Sequence, residues 1–241
     1  MSNLKDILGQ PKKVFNIGDI YPVKIKDYED FVIHSTFLRF SKKHFTNDTT
    51  GFTLFELVTA LTLQDDSISQ SFLNMLNTVT HKEFHYHKEP EKAAKFVSED
   101  GSELNNENFD FFREIVMKQN LIYEEKVYKN ATVKKWADKV LAARAKNSVN
   151  MTMEDMISVV KVFGNESYED IAEYTIYQLE HTFQRILKIE DYRRTIQFMC
   201  AGDDKSKLNP FVEKIDLYKN PYDDIFKSKD KLSTLDKAIN S

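Results

Sequence analysis

A chain of 241 residues in which 41% are hydrophobic, with 18 Phe and 11 Tyr, carries enough apolar surface to build a buried core, and this excludes global disorder. A formal net charge of −4 argues against a dedicated nucleic-acid binder, which carries a basic excess. The first ten residues lack the basic and apolar regions of a secretory signal, no run of about 18 apolar residues is present to span a bilayer, and the single cysteine excludes an intrachain disulfide or a cysteine-based zinc site.

Residues 1–13 are polar and read as a loosely held arm. Residues 14–17 and 20–25 predict a small hairpin turning at Gly18-Asp19, with Pro22 marking its second strand as an edge. Asp27, three positions before Asp30, reads as the cap of a helix that places Tyr28, Phe31, Ser35 and Leu38 on one side and runs to about Phe45. After a turn-rich break, Thr53 and Glu56 form a capping box that opens an apolar helix through Leu54, Leu57, Val58 and Leu61. Asp65-Asp66-Ser67 interrupts it, and Ile68, Phe72, Met75 and Val79 mark its partner. From residue 80 to 108, Phe84, Tyr86, Phe96 and Val97 alternate with polar residues about an Asp100-Gly101 turn, the pattern of a small β element or flap.

Helical spacing returns at Phe109, Phe112, Ile115 and Val116 and ends near Gln119-Asn120. A further helix carries Val133, Trp136, Val140 and Ala143 on one face, and residues 147–150 read as a boundary. Thr152 and Asp155 repeat the capping arrangement, with Met156, Val160 and Phe163 facing inward and Gly164 as the left-handed stop. Ser167 and Asp170 then cap the longest pattern of the chain, residues 167–199. Its apolar stripe runs Ala172, Ile176, Leu179, Phe183, Ile186 and, after a three-residue step, Ile189, Tyr192, Ile196, Met199. Acids lie toward its start and bases toward its end, which complements the helix dipole. Residues 153–199 therefore predict a helical hairpin, followed by a polar loop at 201–209 and a last short helix at 211–217. The fold class is mainly α, a helical bundle with a small β hairpin or flap. The expected organisation is an arm at 1–13, a helical domain with a small β element at 14–148, a helical hairpin with a docking segment at 149–226, and a polar tail at 227–241.

Several side-chain groups invite a sharper reading. His81, His85 and His87 are candidate transition-metal ligands, because histidines four apart share a helical face and those two apart share a strand face. No single regular element brings all three together, and imidazoles on a solvated surface need no metal, so neither a resident metal nor another cofactor is expected. Residues 126–146 hold Lys126, Lys129, Lys134, Lys135, Lys139, Arg144 and Lys146 against Asp138 alone, a candidate polyanion face with Trp136 interleaved. Trp136 shares the apolar stripe of its helix, which favours a solvated basic face beside a core tryptophan. The helical hairpin is not a DNA reader, since Glu169, Asp170 and Glu173 at the start of its second helix repel phosphates. The pairs Asp65-Asp66, Asp203-Asp204 and Asp223-Asp224 read as loop and cap residues, and Cys200, ending a stripe, reads as a small buried hydrophobe. No Walker loop, dinucleotide fingerprint, nucleophile elbow or kinase set is present, and the expectation is a non-enzymatic protein.

Residues 216–226, Asp-Leu-Tyr-Lys-Asn-Pro-Tyr-Asp-Asp-Ile-Phe, differ from the rest in being aromatic, acidic and broken by proline. Such a segment docks on its own domain or on a partner. Residues 108–120, Asn-Phe-Asp-Phe-Phe-Arg-Glu-Ile-Val-Met-Lys-Gln-Asn, resemble tail-morphogenesis proteins of phages that infect Gram-positive hosts, as does the block from Met153 through Leu217-Tyr218-Lys219-Asn220-Pro221-Tyr222-Asp223-Asp224. Ile20-Tyr21-Pro22-Val23-Lys24-Ile25 shares the likeness. Within that group the chain is most similar to a tail-assembly chaperone or a small component of the tail and baseplate. The resemblance implies a helical protein of the host cytoplasm or the virion that binds structural tail proteins such as tape measure, tail tube or baseplate, through contacts instead of catalytic residues. Self-association into a homo-oligomer is compatible with it, whereas membrane and nucleic acid are not expected partners. No second reading-frame extension of the kind many such chaperones carry is evident. On this reading Tyr218, Pro221, Tyr222, Ile225 and Phe226 are the partner-binding residues.

Overall fold

The computed structural model describes residues 4–45, 49–88, 94–128, 130–147 and 151–218. The start of the chain is tied down more firmly than its polarity implies. α1 (Leu4–Ile7) buries Asp6, which pairs with Lys12 at 2.5 Å. β1 (Lys12–Val14) and β2 (Gly18–Ile20) form a hairpin, but earlier in the chain than expected: Val14 pairs with Gly18, so the turn is made by Phe15, Asn16 and Ile17 and not by Gly18-Asp19, and the second strand ends at Ile20 instead of running to Ile25. Asn16 supplies the left-handed residue, at φ 62°, a conformation its short polar side chain tolerates.

α2 (Ile25–His34) begins ahead of Asp27, which lies in its first turn instead of capping it. The Ile25 N–H donates to Tyr174 O at 2.8 Å, and a distant backbone thereby replaces the local cap. The helix also ends earlier than expected, giving way to 3₁₀ turns at Thr36–Arg39 and Lys42–His44. Ser35 helps to end it by donating its hydroxyl back to Val32 O at 3.1 Å. α3 (Leu54–Thr62) and α4 (Asp66–Thr80) start where their caps predict. Thr53 Oγ1 accepts from Glu56 N–H at 3.1 Å while Thr53 N–H donates to Glu56 Oε2 at 2.7 Å, and Asp65 accepts from Ser67 N–H at 2.8 Å.

The stretch between residues 80 and 108 is a three-stranded antiparallel sheet of β3 (Phe84–His87), β4 (Lys95–Ser98) and β5 (Glu103–Leu104), in that order. Phe84, Phe96 and Leu104 turn inward onto α3, α4 and α5 (Phe109–Gln119). There Phe72 meets Phe96 with ring centroids 4.8 Å apart, and Phe55 meets Phe109 at 5.2 Å. These rings lie in one buried cluster that extends from Val14 to Ile122. α6 (Ala131–Asn147) follows, with Ala137 buried and Trp136 half-buried.

α7 (Met153–Gly164) is capped by Thr152 as its sequence predicts, but Asn165, at φ 55°, takes the left-handed position expected of Gly164. Val160 is buried and Met156 half-buried, whereas Phe163 is 52% exposed and does not face inward. The single helix expected over 167–199 is broken into α8 (Tyr168–Ala172) and α9 (Ile176–Cys200). Thr175 opens a second capping box, accepting from Gln178 N–H at 3.2 Å while its own N–H donates to Gln178 Oε1 at 2.8 Å. With Tyr174 O bonded to α2, the break serves tertiary structure.

Val160, Ile171, Ile176, Leu179 and Phe183 form a second buried cluster, against which Ile25, Tyr28 and Leu121 pack. The α9 stripe is buried only as far as Phe183. At 3.6 residues per turn, the six positions from Phe183 to Ile189 carry the stripe about 120° around the helix. It then faces the returning chain, where Tyr192 meets Phe211 at 5.2 Å. Met199 is consequently 45% exposed, and Cys200 is exposed instead of buried. Residues 211–217 are turns and irregular chain instead of a helix, since the Phe211 and Glu213 carbonyls accept from the Arg185 guanidinium in place of intrahelical N–H groups. Among the described residues the architecture is thus mainly α with two small antiparallel sheets.

Candidate docking cleft

The end of α5 organises the chain around it. Asn120 is fully buried; its Oδ1 accepts from Val23 N–H at 2.9 Å and its Nδ2 donates to Val116 O at 2.8 Å. The Asn120 carbonyl accepts from the Tyr28 hydroxyl at 3.0 Å. Leu121 then reverses the chain at φ 50°, and Ile122 N–H closes the helix on Met117 O at 2.9 Å. This sharp exit sets Leu121, Ile122 and Tyr123 beside Met117, where they line a cleft of about 260 Å³ that Tyr218 closes from the far end of the chain.

Both sides of the cleft are held from outside. Arg113 on the rim donates to Leu38 O at 2.9 Å, to Phe40 O at 2.8 Å and to Glu124 at 3.0 Å, while Lys118 pairs with Glu114. The Tyr123 hydroxyl donates to Leu217 O at 2.6 Å, and the Tyr218 hydroxyl donates to Asp6 Oδ2 at 2.6 Å. Burial, then the Asp6 carboxylate, holds the Tyr218 phenol far above the usual tyrosine range, so it stays a donor. The Tyr218 ring rests on Tyr177, centroids 5.6 Å apart. With its rim charges paired inside the chain, the cleft offers an occupant chiefly apolar contact.

Tyr218 therefore sits at the lip of the cleft, whereas Pro221, Tyr222, Ile225 and Phe226 lie outside the described residues. His85 and His87 are exposed on one face of β3; His81 is off the strand, where it ends α4 at φ 56° and stacks on Tyr21 at 4.2 Å. Among the described residues, no group of three or more His, Cys, Asp or Glu is gathered for a metal ion. Lys134, Lys135 and Lys139 are exposed on α6 and Lys126 is half-buried; Lys129 and the side chains of Arg144 and Lys146 lie outside the described set. The lining residues Met117, Leu121 and Ile122 were not singled out by sequence reasoning. A signal existed, because Ile115, Val116 and Met117 in succession exceed what one buried helical stripe needs.

Fold and cleft together describe a mainly helical protein with two buried clusters and an apolar cleft of peptide side-chain size beside them. Among the described residues, no helix is long and apolar enough to cross a membrane. Residues 144–216 match the family model described as the YomV second domain. Over 231 residues, 91% of this chain and 92% of the relative, the chain is 27% identical to the SPbeta prophage-derived uncharacterized protein YomV of Bacillus subtilis (strain 168). The similarity is thus to a protein of prophage origin and covers nearly the whole of both chains. No solved structure matches.

Proposed function

We propose that this protein is a non-enzymatic interaction factor of phage tail or baseplate assembly, which binds a structural tail protein through the aromatic surface that begins at Tyr218. The observation that carries the reading is the cleft at the end of α5. Its floor is apolar, its rim charges are spent inside the chain, and its lip is the point from which residues 219–226 depart. Such a surface gains free energy by covering apolar groups of a protein partner, and aromatic anchors dominate contacts of that kind. The prophage origin of the relative supports a phage context, and the resemblance of residues 108–120 and of the block from Met153 to Asp224 supports tail assembly within it. The contact residues are Tyr218, Pro221, Tyr222, Ile225 and Phe226, no cofactor takes part, and the protein acts in the host cytoplasm or remains in the virion.

Recovery of the tagged protein from host cells assembling the phage, with mass spectrometry of what accompanies it, tests this reading. Tape-measure, tail-tube or baseplate protein is expected, and its recovery should fail when Tyr222 and Phe226 are both alanine. Nucleic acid as the sole companion, released steeply by salt, would overturn the reading in favour of the exposed α6 lysines.

A further inference from the structure

We propose that the cleft at the end of α5 is the seat of the chain's own segment 221–226, so that cleft and segment cover each other until a partner separates them. The consequence for partners rests on the docking function proposed above; the seating itself does not.

The position of the exit is the first argument. Leu217 and Tyr218 are pinned at the lip by the Tyr123 hydroxyl and by Asp6, each at 2.6 Å, so the chain leaves from the edge of the cleft. Tyr222 follows Tyr218 by four residues, a reach of at most about 14 Å when extended, so the tether is short enough for its ring to return to the cleft.

Size and chemistry are the second. At about 260 Å³ the cleft is smaller than the roughly 300–1,000 Å³ of small-molecule sites and suits one or two side chains. Arg113 is paired with Glu124 and Lys118 with Glu114, so a charged occupant finds no unspent partner in these rim groups, whereas an aromatic or aliphatic one covers Met117, Leu121 and Ile122. Pro221, Tyr222, Ile225 and Phe226 have that character.

The third argument is the tether. A segment fixed to the rim by a few residues is present at an effective concentration of about millimolar, which a free competitor of similar affinity does not reach. A partner must therefore take hold of the segment strongly enough to lift it out. In doing so it uncovers the cleft as a second contact.

Disulfide trapping in the full-length protein tests the seating. With Cys200→Ser as background, Lys118→Cys on the exposed rim and Asp223→Cys in the segment are oxidised mildly at low protein concentration, with and without Tyr222→Ala and Phe226→Ala. Seating predicts an intrachain disulfide whose rate of formation falls about tenfold when the two rings are removed at unchanged tether length. An unchanged rate would show that tethering alone brings the cysteines together, and disulfide-linked dimers would show that a second copy supplies the segment; either result overturns the proposal. No phage protein enters this assay. A ring-dependent disulfide with no tail protein recovered from assembling cells would refute only the assembly role, and the converse would refute only the seating.

Discussion

The Tyr218 hydroxyl donates to Asp6 Oδ2 at 2.6 Å, joining residues 212 positions apart and tying the end of the described chain to its first helix. Asp6 is 5% exposed, and a carboxylate so buried costs several kcal/mol unless it is paired and hydrogen-bonded. Lys12 and Tyr218 together meet that demand, and the pairing sets the point from which residues 219–226 leave.

Tyr218→Phe keeps the ring on Tyr177 and removes only the hydroxyl. The buried carboxylate then loses a donor, and stability should fall by about 1–3 kcal/mol. Urea unfolding measures the loss, and a double-mutant cycle with Asp6→Asn should recover most of it as coupling. A loss within about 0.5 kcal/mol would mean that the bond holds nothing.

Thr175 and Ser167 make the same capping box in different surroundings. Thr175 is fully buried at the joint with α2, whereas the Ser167 box lies in an exposed setting. Thr175→Ala should cost about 2 kcal/mol, the upper end of the range for caps, and Ser167→Ala about 1 kcal/mol or less. Thermal unfolding of the two variants ranks them, and equal losses would remove the special role of the α2 contact.

Alkaline pH should loosen the fold through Tyr28. Burial pushes its phenol up to about 12, against 10.0 for an ordinary tyrosine. The folded state thus holds this proton more tightly than the unfolded one. Its contribution is complete below pH 10 and is lost as pH rises toward 12. Stability measured from pH 9 to 12 should decline, and Tyr28→Phe should flatten part of that decline while lowering stability at neutral pH, because it also loses the bond to Asn120 O.

Cys200 should react in the folded protein. The lone thiol is exposed at the end of α9, so a colorimetric thiol reagent should titrate one equivalent at a rate little changed by urea. Reaction only after unfolding would restore a buried stripe through Met199.

Local chemistry made much of the fold legible. Thr53, Thr152 and Ser167 announce their helices through side chains three residues away, and Asp100-Gly101 turns β4 into β5, so short-range patterns suffice there. The failures have long-range causes. α2 starts early because Tyr174 O supplies a partner, and the helix after Ser167 breaks at Thr175 for the same contact. The Thr175 box with Gln178 was visible in the sequence but lay inside a longer amphipathic pattern that concealed it. The three-residue steps from Phe183 to Ile186 and from Ile186 to Ile189 stand in the sequence, but which face they turn away from is set by packing, and the turn leaves Cys200 exposed. The candidate cleft was the least legible feature, since Tyr218 comes to line one cleft with Met117 and Leu121 only once the chain has folded back on itself. Tyr218 itself stood out as an aromatic residue in an acidic, proline-broken segment.

The most direct measurement places a photo-crosslinking amino acid at position 118, on the rim of the cleft, in host cells that are assembling the phage. A docking role in tail assembly predicts light-dependent adducts with tape-measure, tail-tube or baseplate protein, which disappear when Tyr222 and Phe226 are alanine. Adducts confined to host proteins, with no phage structural protein attached, would contradict it.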